Sequence, residues 1–184
     1  VNIHPPGATT VVLPVYRPGG QWPFNVRIKR NEGKRWQYVT MDDVVLQLGD
    51  ILEHLCDKEN PGGSVPVLRT TSRDGVPLVV LYPVAGRAVV RAGYAFDGPS
   101  FGVFRRFIPE RVARAALAPS LRHDVGYQLS RLGFLPPDAR RAVDEMFRAD
   151  LVPAITAEGY DTKAAKRWAS IFYRGVRLVG WRFF

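Results

Sequence analysis

The side chains that move protons near neutral pH are few in this chain, and in its second half one histidine stands among several carboxylates. Three histidines occur in 184 residues, and His123 is the only one beyond residue 54. It stands beside Asp124, with Tyr127 four residues later, Asp97-Gly98 upstream and Asp144 downstream. On a helix His123 and Asp124 fall about 100° apart, so they flank one cavity rather than converge on one point. Tyr127 lies one turn on, on the His123 side. A carboxylate on an imidazole N–H fixes the tautomer and stabilises the imidazolium, which is the general-base half of a hydrolytic site. Asp144 is the candidate for that role. Ser100, Ser120 and Ser130 lie in no nucleophile-elbow context, so water activated by His123 is the expected nucleophile. Asp124 and Asp97, joined by backbone carbonyls of a glycine-containing loop, make an oxygen-rich set suited to a hard cation such as Ca2+. Such an ion polarises an ester carbonyl and stabilises the developing oxyanion. Zinc is disfavoured, because it draws on several His or Cys ligands and this half offers one histidine and no cysteine.

The elements that must hold these residues are readable in outline. Val11-Val-Leu-Pro-Val and Phe24-Asn-Val-Arg-Ile-Lys predict short strands between Pro-Gly clusters. Lys29-Arg30 and Lys34-Arg35 around Gly33 predict a solvated hairpin tip. From Thr40 the spacing of Val44, Val45, Leu48, Ile51, Leu52 and Leu55 predicts a helix, with Thr40 and Asp43 as its capping box and Asn60-Pro-Gly-Gly as its end. Val65-Pro-Val-Leu-Arg-Thr and Val76-Pro-Leu-Val-Val-Leu-Tyr around Arg73-Asp-Gly predict a hairpin whose prolines favour edge positions. A third strand is expected over about 88–95. Beyond it the chain reads as helical. One short helix runs from Pro109 to Leu117, and a second has Pro119 in its first turn and Leu121, Val125, Leu129 and Leu132 as its buried stripe. After Gly133 and Pro136-Pro137, Asp138 caps a helix with Val143, Met146, Phe147 and Leu151 on one face, kinked or ended by Pro153. Past Gly159, Asp161 or Thr162 caps a last helix striped by Ala165, Trp168, Phe172, Val176 and Val179. Consecutive helices on a short connection pack antiparallel, which would set Asp144 across from His123. The expected fold class is therefore α+β: an N-terminal β-rich lobe with one helix over residues 1–90, and a mainly helical core over 91–184.

Composition narrows the function classes. Hydrophobic residues at 46% and charged residues at 23% provide for a packed core. No apolar run approaches the roughly 18 to 20 residues that cross a bilayer, so no transmembrane segment is expected and the protein is expected to be soluble. Cys56 is the single cysteine, which excludes an internal disulfide and with it a disulfide-stapled secreted scaffold. Val1-Asn-Ile-His-Pro-Pro lacks the basic and apolar regions of a secretory signal, and a start on Val leaves removal of a leader open. Lys and Arg number 26 against 17 Asp and Glu, a net +9, and residues 101–184 carry 15 of the basic and 8 of the acidic residues, a net +7. A basic half suits an anionic partner, either nucleic acid or a phospholipid surface; a merely basic soluble surface is the alternative.

Three segments in order carry a resemblance. Leu121-Arg-His-Asp-Val-Gly-Tyr-Gln resembles the catalytic helix of bacterial phospholipases A2, whose motif is close to Arg-His-Asp-Phe-Gly-Tyr. Ala139-Arg-Arg-Ala-Val-Asp-Glu-Met-Phe-Arg-Ala-Asp resembles the helix that follows it, and Asp97-Gly98-Pro99-Ser100 resembles the Asp-Gly-Cys-Ser of the calcium loop. The resemblance implies a phospholipase A2-like core with His123 as general base and Asp144 as its orienting partner. It also implies Asp97 and Asp124 as calcium ligands, with the Gly98 carbonyl as a further one. The chain departs from that family where cysteines staple loop to helix, since Pro99 and Ser120 stand at those positions. The same residues more closely resemble a family of phage and prophage proteins defined as a domain of unknown function, to which a terminal element points rather than to the phospholipases. Its pattern matches Asp97 to Ser100, His123 to Tyr127, Val143 to Phe147 and the terminal Tyr173-x-x-Val-Arg177-x-x-Gly180, over about residues 93–180.

The phospholipase resemblance implies a Ca2+-dependent hydrolase that acts on a phospholipid ester; from their own chemistry, the hydroxyls of Tyr127 and Tyr173 are expected to support a buried carboxylate such as Asp144. The rival is a non-enzymatic virion, tail or accessory protein in which the same polar set is a fold-stabilising network. An anionic phospholipid surface is the expected partner, with phage or secretion-system proteins as further candidates and a cytoplasmic, phage-associated or delivered location. Nucleic acid is disfavoured, because no recognised motif occurs and the aromatics are not spaced as a stacking platform. Phe101, Phe104 and Phe107, interleaved with Arg105 and Arg106, suit either a lipid-contacting rim or packing beneath the loop. Asp150 is expected to be a solvated acid.

Overall fold

The structure is a computed structural model that describes residues 9–13, 24–30, 36–49, 52, 63–67, 75–99, 107–136 and 138–179. The chain is α+β, and its described residues divide between Asp97 and Gly98 into a strand-bearing unit and a helical unit. In the first unit β1 (Thr9–Leu13), β2 (Phe24–Arg30) and β3 (Trp36–Thr40) form an antiparallel meander, and β8 (Ala95–Phe96) pairs with β3. The register Arg30↔Trp36 closes the hairpin expected around Gly33. A second antiparallel sheet has the order β4 (Val44–Gln47), β7 (Arg87–Val90), β6 (Val79–Tyr82), β5 (Val65–Pro66). The expected hairpin of β5 and β6 pairs Val65 with Leu81, and Pro66 lies on the edge strand, where a missing N–H breaks no ladder.

Two expectations for this unit are corrected. The segment from Val44 is a strand, not the start of a helix: Val44 and Leu46 are buried while Gln47 is exposed, a period of two. Adjacent β-branched Val44 and Val45 favour that pleat. Thr40 and Asp43 are not a capping box. The Thr40 hydroxyl donates to the Arg91 carbonyl at 2.9 Å and accepts from the Tyr94 N–H at 3.1 Å, while Asp43 Oδ1 accepts from the Ala92 N–H at 2.9 Å. The same contacts explain the second correction. The single strand expected over about 88–95 is two, β7 and β8, in different sheets, because the chain turns at Arg91-Ala92-Gly93 with Gly93 at φ 95°. Of the region expected to complete the helix, Leu52 alone among residues 50–62 is described; Cys56, Lys34, Arg35, Ser100 and residues 101–106 also lie outside the described residues.

The second unit consists of α1 (Glu110–Ala115), α2 (Leu117–Arg131), α3 (Ala139–Ala157) and α4 (Thr162–Val179). α2 ends in a Schellman motif: Phe134 N–H donates to Leu129 O at 2.9 Å and Gly133 N–H to Ser130 O at 3.0 Å, with Gly133 at φ 78°. The stop expected at Gly133 thus has a mechanism, a left-handed residue that satisfies the last carbonyls. Asp138 occupies the N-cap of α3 without a side-chain capping bond, contrary to its expected role. Pro153 does not end α3, which continues to Ala157 with Leu151 and Ile155 buried on either side of it. Asp161 does cap α4, accepting from the Ala164 N–H at 2.8 Å. Val112, Ala116, Phe147, Leu151, Ile155, Ala165, Ala169 and Phe172 form the helical core, with α3 packed against α1, α2 and α4.

Candidate active site

The site begins with a close approach between α2 and α3. Gly126 of α2 faces Val143 of α3, where a Cβ would lie 2.8 Å from one Val143 methyl and 2.9 Å from the other. Glycine at that point lets the two backbones come together, three residues after His123 and one residue before Asp144. His123 Nε2 then lies 2.9 Å from Asp144 Oδ1, the antiparallel juxtaposition expected from the short connection. Asp144 has 0% relative exposure and His123 7%. The Tyr127 hydroxyl, one turn after His123, donates to the same Oδ1 at 2.7 Å. The hydrogen bond expected from Tyr127 to a buried carboxylate is thus present.

The other carboxylate oxygen is held from α4. Arg177 Nη1 donates to Asp144 Oδ2 at 3.1 Å, and Arg140 Nε lies 4.0 Å from the same atom and 3.4 Å from the Tyr127 hydroxyl. Both arginines went unassigned from the sequence. Arg140 stands four residues before Asp144, a helical neighbour. Arg177 belongs to the Tyr173-x-x-Val-Arg177 element, but only the packing of α4 on α3 reveals that it serves Asp144. Tyr173 itself is half-buried under the Arg148 guanidinium, 5.4 Å from its ring centroid. Phe147 and Tyr127 flank the imidazole, with ring centroids 4.8 Å and 4.1 Å away.

Electrostatics follow from this geometry. Burial is the largest influence on Asp144 and opposes its charge, but bonds from His123, Tyr127 and Arg177 outweigh it and hold the carboxyl below its ordinary value. For His123 burial again opposes charge, and Asp124 and Asp144 together outweigh it and raise the imidazole above its ordinary value. Burial, reinforced by the bond to Asp144, pushes the Tyr127 phenol well up, so its hydroxyl is a fixed donor. An ionised carboxylate only accepts, so Nε2 carries the proton and Nδ1 is the basic nitrogen of the neutral ring. Nδ1 turns toward Asp124, whose Oδ1 is 3.8 Å away, beyond direct hydrogen-bond distance.

A second tie joins α2 to α3. Arg122 Nη1 reaches both oxygens of Asp150 at 2.9 Å and 2.7 Å, and Nη2 contacts Met146 Sδ at 3.1 Å. Asp150 is therefore not the solvated acid expected: it is partly buried, and burial raises its carboxyl despite the arginine. Ser120, one turn before His123, is buried, and its hydroxyl has no partner among the described residues.

For a cation, Asp97 is exposed directly after β8, Gly98 follows at φ 66°, and the Asp124 side chain is half-buried beside His123. Among the described residues no group of three or more His, Cys, Asp or Glu side chains is placed to hold a metal. The donors expected of Asp97, Asp124 and the Gly98 carbonyl are all hard oxygens, which fit Ca2+ by chemistry and do not fit Zn2+. No helix among the described residues is long and apolar enough to cross a membrane. Comparison with protein-family models, curated proteins and solved structures found no match to this chain.

Proposed function

We propose that the helical unit is a phospholipase A2-like hydrolase in which His123 activates water against a phospholipid ester. The observation that carries this reading is the bond from His123 Nε2 to the fully buried Asp144, which leaves Nδ1 as a base on the Asp124 side. In the reaction Nδ1 takes a proton from water as the water oxygen bonds to the ester carbonyl carbon and the π pair moves onto the carbonyl oxygen. When that pair returns, the C–O bond to the glycerol oxygen breaks, and the imidazolium gives its proton to the departing alkoxide. The products are a fatty acid and a lysophospholipid, and the imidazole is again neutral. Asp144, held as an anion by Tyr127 and Arg177, stabilises the transient imidazolium across Nε2. Calcium, for which Asp124 and the Gly98 carbonyl are the oxygen donors of the helical unit, would supply Lewis-acid stabilisation of the oxyanion. The test is fatty-acid release from phospholipid vesicles in the presence of calcium. Release by the wild-type protein that disappears on chelation supports the assignment, and absence of release with calcium present contradicts it.

One observation favours a second reading. Asp144 is saturated by donors from α2 and α4, so the same network serves as a clamp joining three helices. A non-enzymatic phage virion, tail or accessory protein needs only that clamp. Presence of the protein in purified particles, with no hydrolysis, would select this role.

A further inference from the structure

We propose that the outward face of α4 docks on an anionic lipid bilayer. The inference goes beyond catalysis and stands on residues outside the dyad. Ala165, Ala169 and Phe172 mark the buried side of α4. At about 100° per residue, the opposite side is the stripe Lys163, Arg167, Ile171, Arg174 and Leu178, and all five are exposed. Ile171 and Leu178, at 46% and 73% exposure, lie two turns apart on that stripe and bracket Arg174.

The charge within this face is of one sign, and the exposed N-cap Asp161 is the carboxylate beside its first turn. The eighteen residues of α4 contain no Asp or Glu. The nearby acids of α3 and its C-terminus are engaged elsewhere: Asp144 by Arg177, Glu145 by Arg141, Asp150 by Arg122 and Glu158 by Arg114. Lys163, Arg167 and Arg174 form no ion pair with any described carboxylate, and Lys166 adds a further exposed cation at the edge of the stripe.

The mixture of side chains selects the partner. Nucleic acid would use the cations but offers nothing to an exposed leucine and isoleucine on the same stripe. A bilayer interface uses both, because apolar side chains enter the acyl boundary while Lys and Arg bury their stems and keep their heads at the phosphates. α4 is too polar to span the bilayer, so the geometry is a helix lying in the interface.

The test is co-sedimentation of the full chain with vesicles of phosphatidylcholine alone and of phosphatidylcholine mixed with phosphatidylglycerol. The variants are Leu178→Ser and the double reversal Arg167→Glu with Arg174→Glu. All three side chains are exposed, so the far-UV circular dichroism of each variant should match the wild type. Binding is expected only to the anionic vesicles and should weaken by about fivefold for each cation removed, so the double reversal should lower it by more than about 25-fold. Leu178→Ser should weaken it several-fold at constant salt. His123→Gln, which keeps a donor to Asp144, should bind as the wild type does, which separates docking from hydrolysis. Docking is overturned if anionic vesicles do not sediment the protein, or if Leu178→Ser or the double reversal binds like the wild type. Charge-dependent retention of a DNA duplex with no vesicle binding would also overturn it.

Discussion

A carboxylate with no exposed surface persists as an anion only where donors replace its water, and Asp144 receives them from His123, Tyr127 and Arg177. Removing the carboxylate would leave His123 and the Tyr127 hydroxyl buried without their acceptor. Asp144→Ala should therefore cost about 3 to 5 kcal/mol, the range for breaking a buried ionic contact from one side, read as a lowered denaturant midpoint. Tyr127→Phe removes one bond to a charged acceptor and should cost about 1.5 to 3 kcal/mol, while hydrolysis survives because the hydroxyl touches no reacting atom. At this scale the sequence was informative for His123, Asp144 and Tyr127, since helical spacing alone puts Tyr127 one turn from His123. Arg177 was legible only as part of a motif. Its contact with Asp144 spans 33 residues and depends on how α4 closes over α3, which no local spacing encodes.

At the level of elements, Gly126 decides whether the dyad can form. A methyl group there would meet both methyls of a β-branched neighbour whose χ1 is restricted, so α3 must move. Gly126→Ala should cost about 1 to 3 kcal/mol by overpacking and lower hydrolysis far more than a surface Gly133→Ala control with its own backbone strain, because the shift separates His123 from Asp144. The rate measured under conditions where both variants are folded checks this. Helices were the legible elements, since caps and 3.6-residue stripes agree at α2 and α4, where Gly133 and Asp161 act as expected. β4 was not legible as a strand. Val44, Val45, Leu48 and Leu52 fit a helical stripe as well as a short buried strand, and the deciding partners, Ala88 and Val90 across the sheet, are about forty residues away.

For the whole molecule, the two ionised partners set opposite pH limits. His123 is held above its ordinary 6.5, so its stabilisation is complete below about 6.5 and is lost as pH rises through the raised value. Asp144 is held below its ordinary 3.8, so its stabilisation is complete above about 3.8 and is lost as pH falls through the lowered value. Thermal stability of the calcium-free protein should therefore contain a contribution that is greatest between about pH 4 and 6.5, and Asp144→Ala should flatten it. Hydrolysis has the opposite dependence on the alkaline side, because the general base works only as neutral imidazole. Activity should rise with pH over the limb on which this stabilisation declines. The measurement that bears most directly on the central claim is fatty-acid release from calcium-containing phospholipid vesicles by His123→Gln beside the wild type. The glutamine amide can still donate to Asp144, so the variant should remain folded while release falls about 100- to 10,000-fold, the usual worth of a general base. Release by folded His123→Gln at the wild-type rate, or none from the wild type itself, would contradict the assignment of His123 as the base.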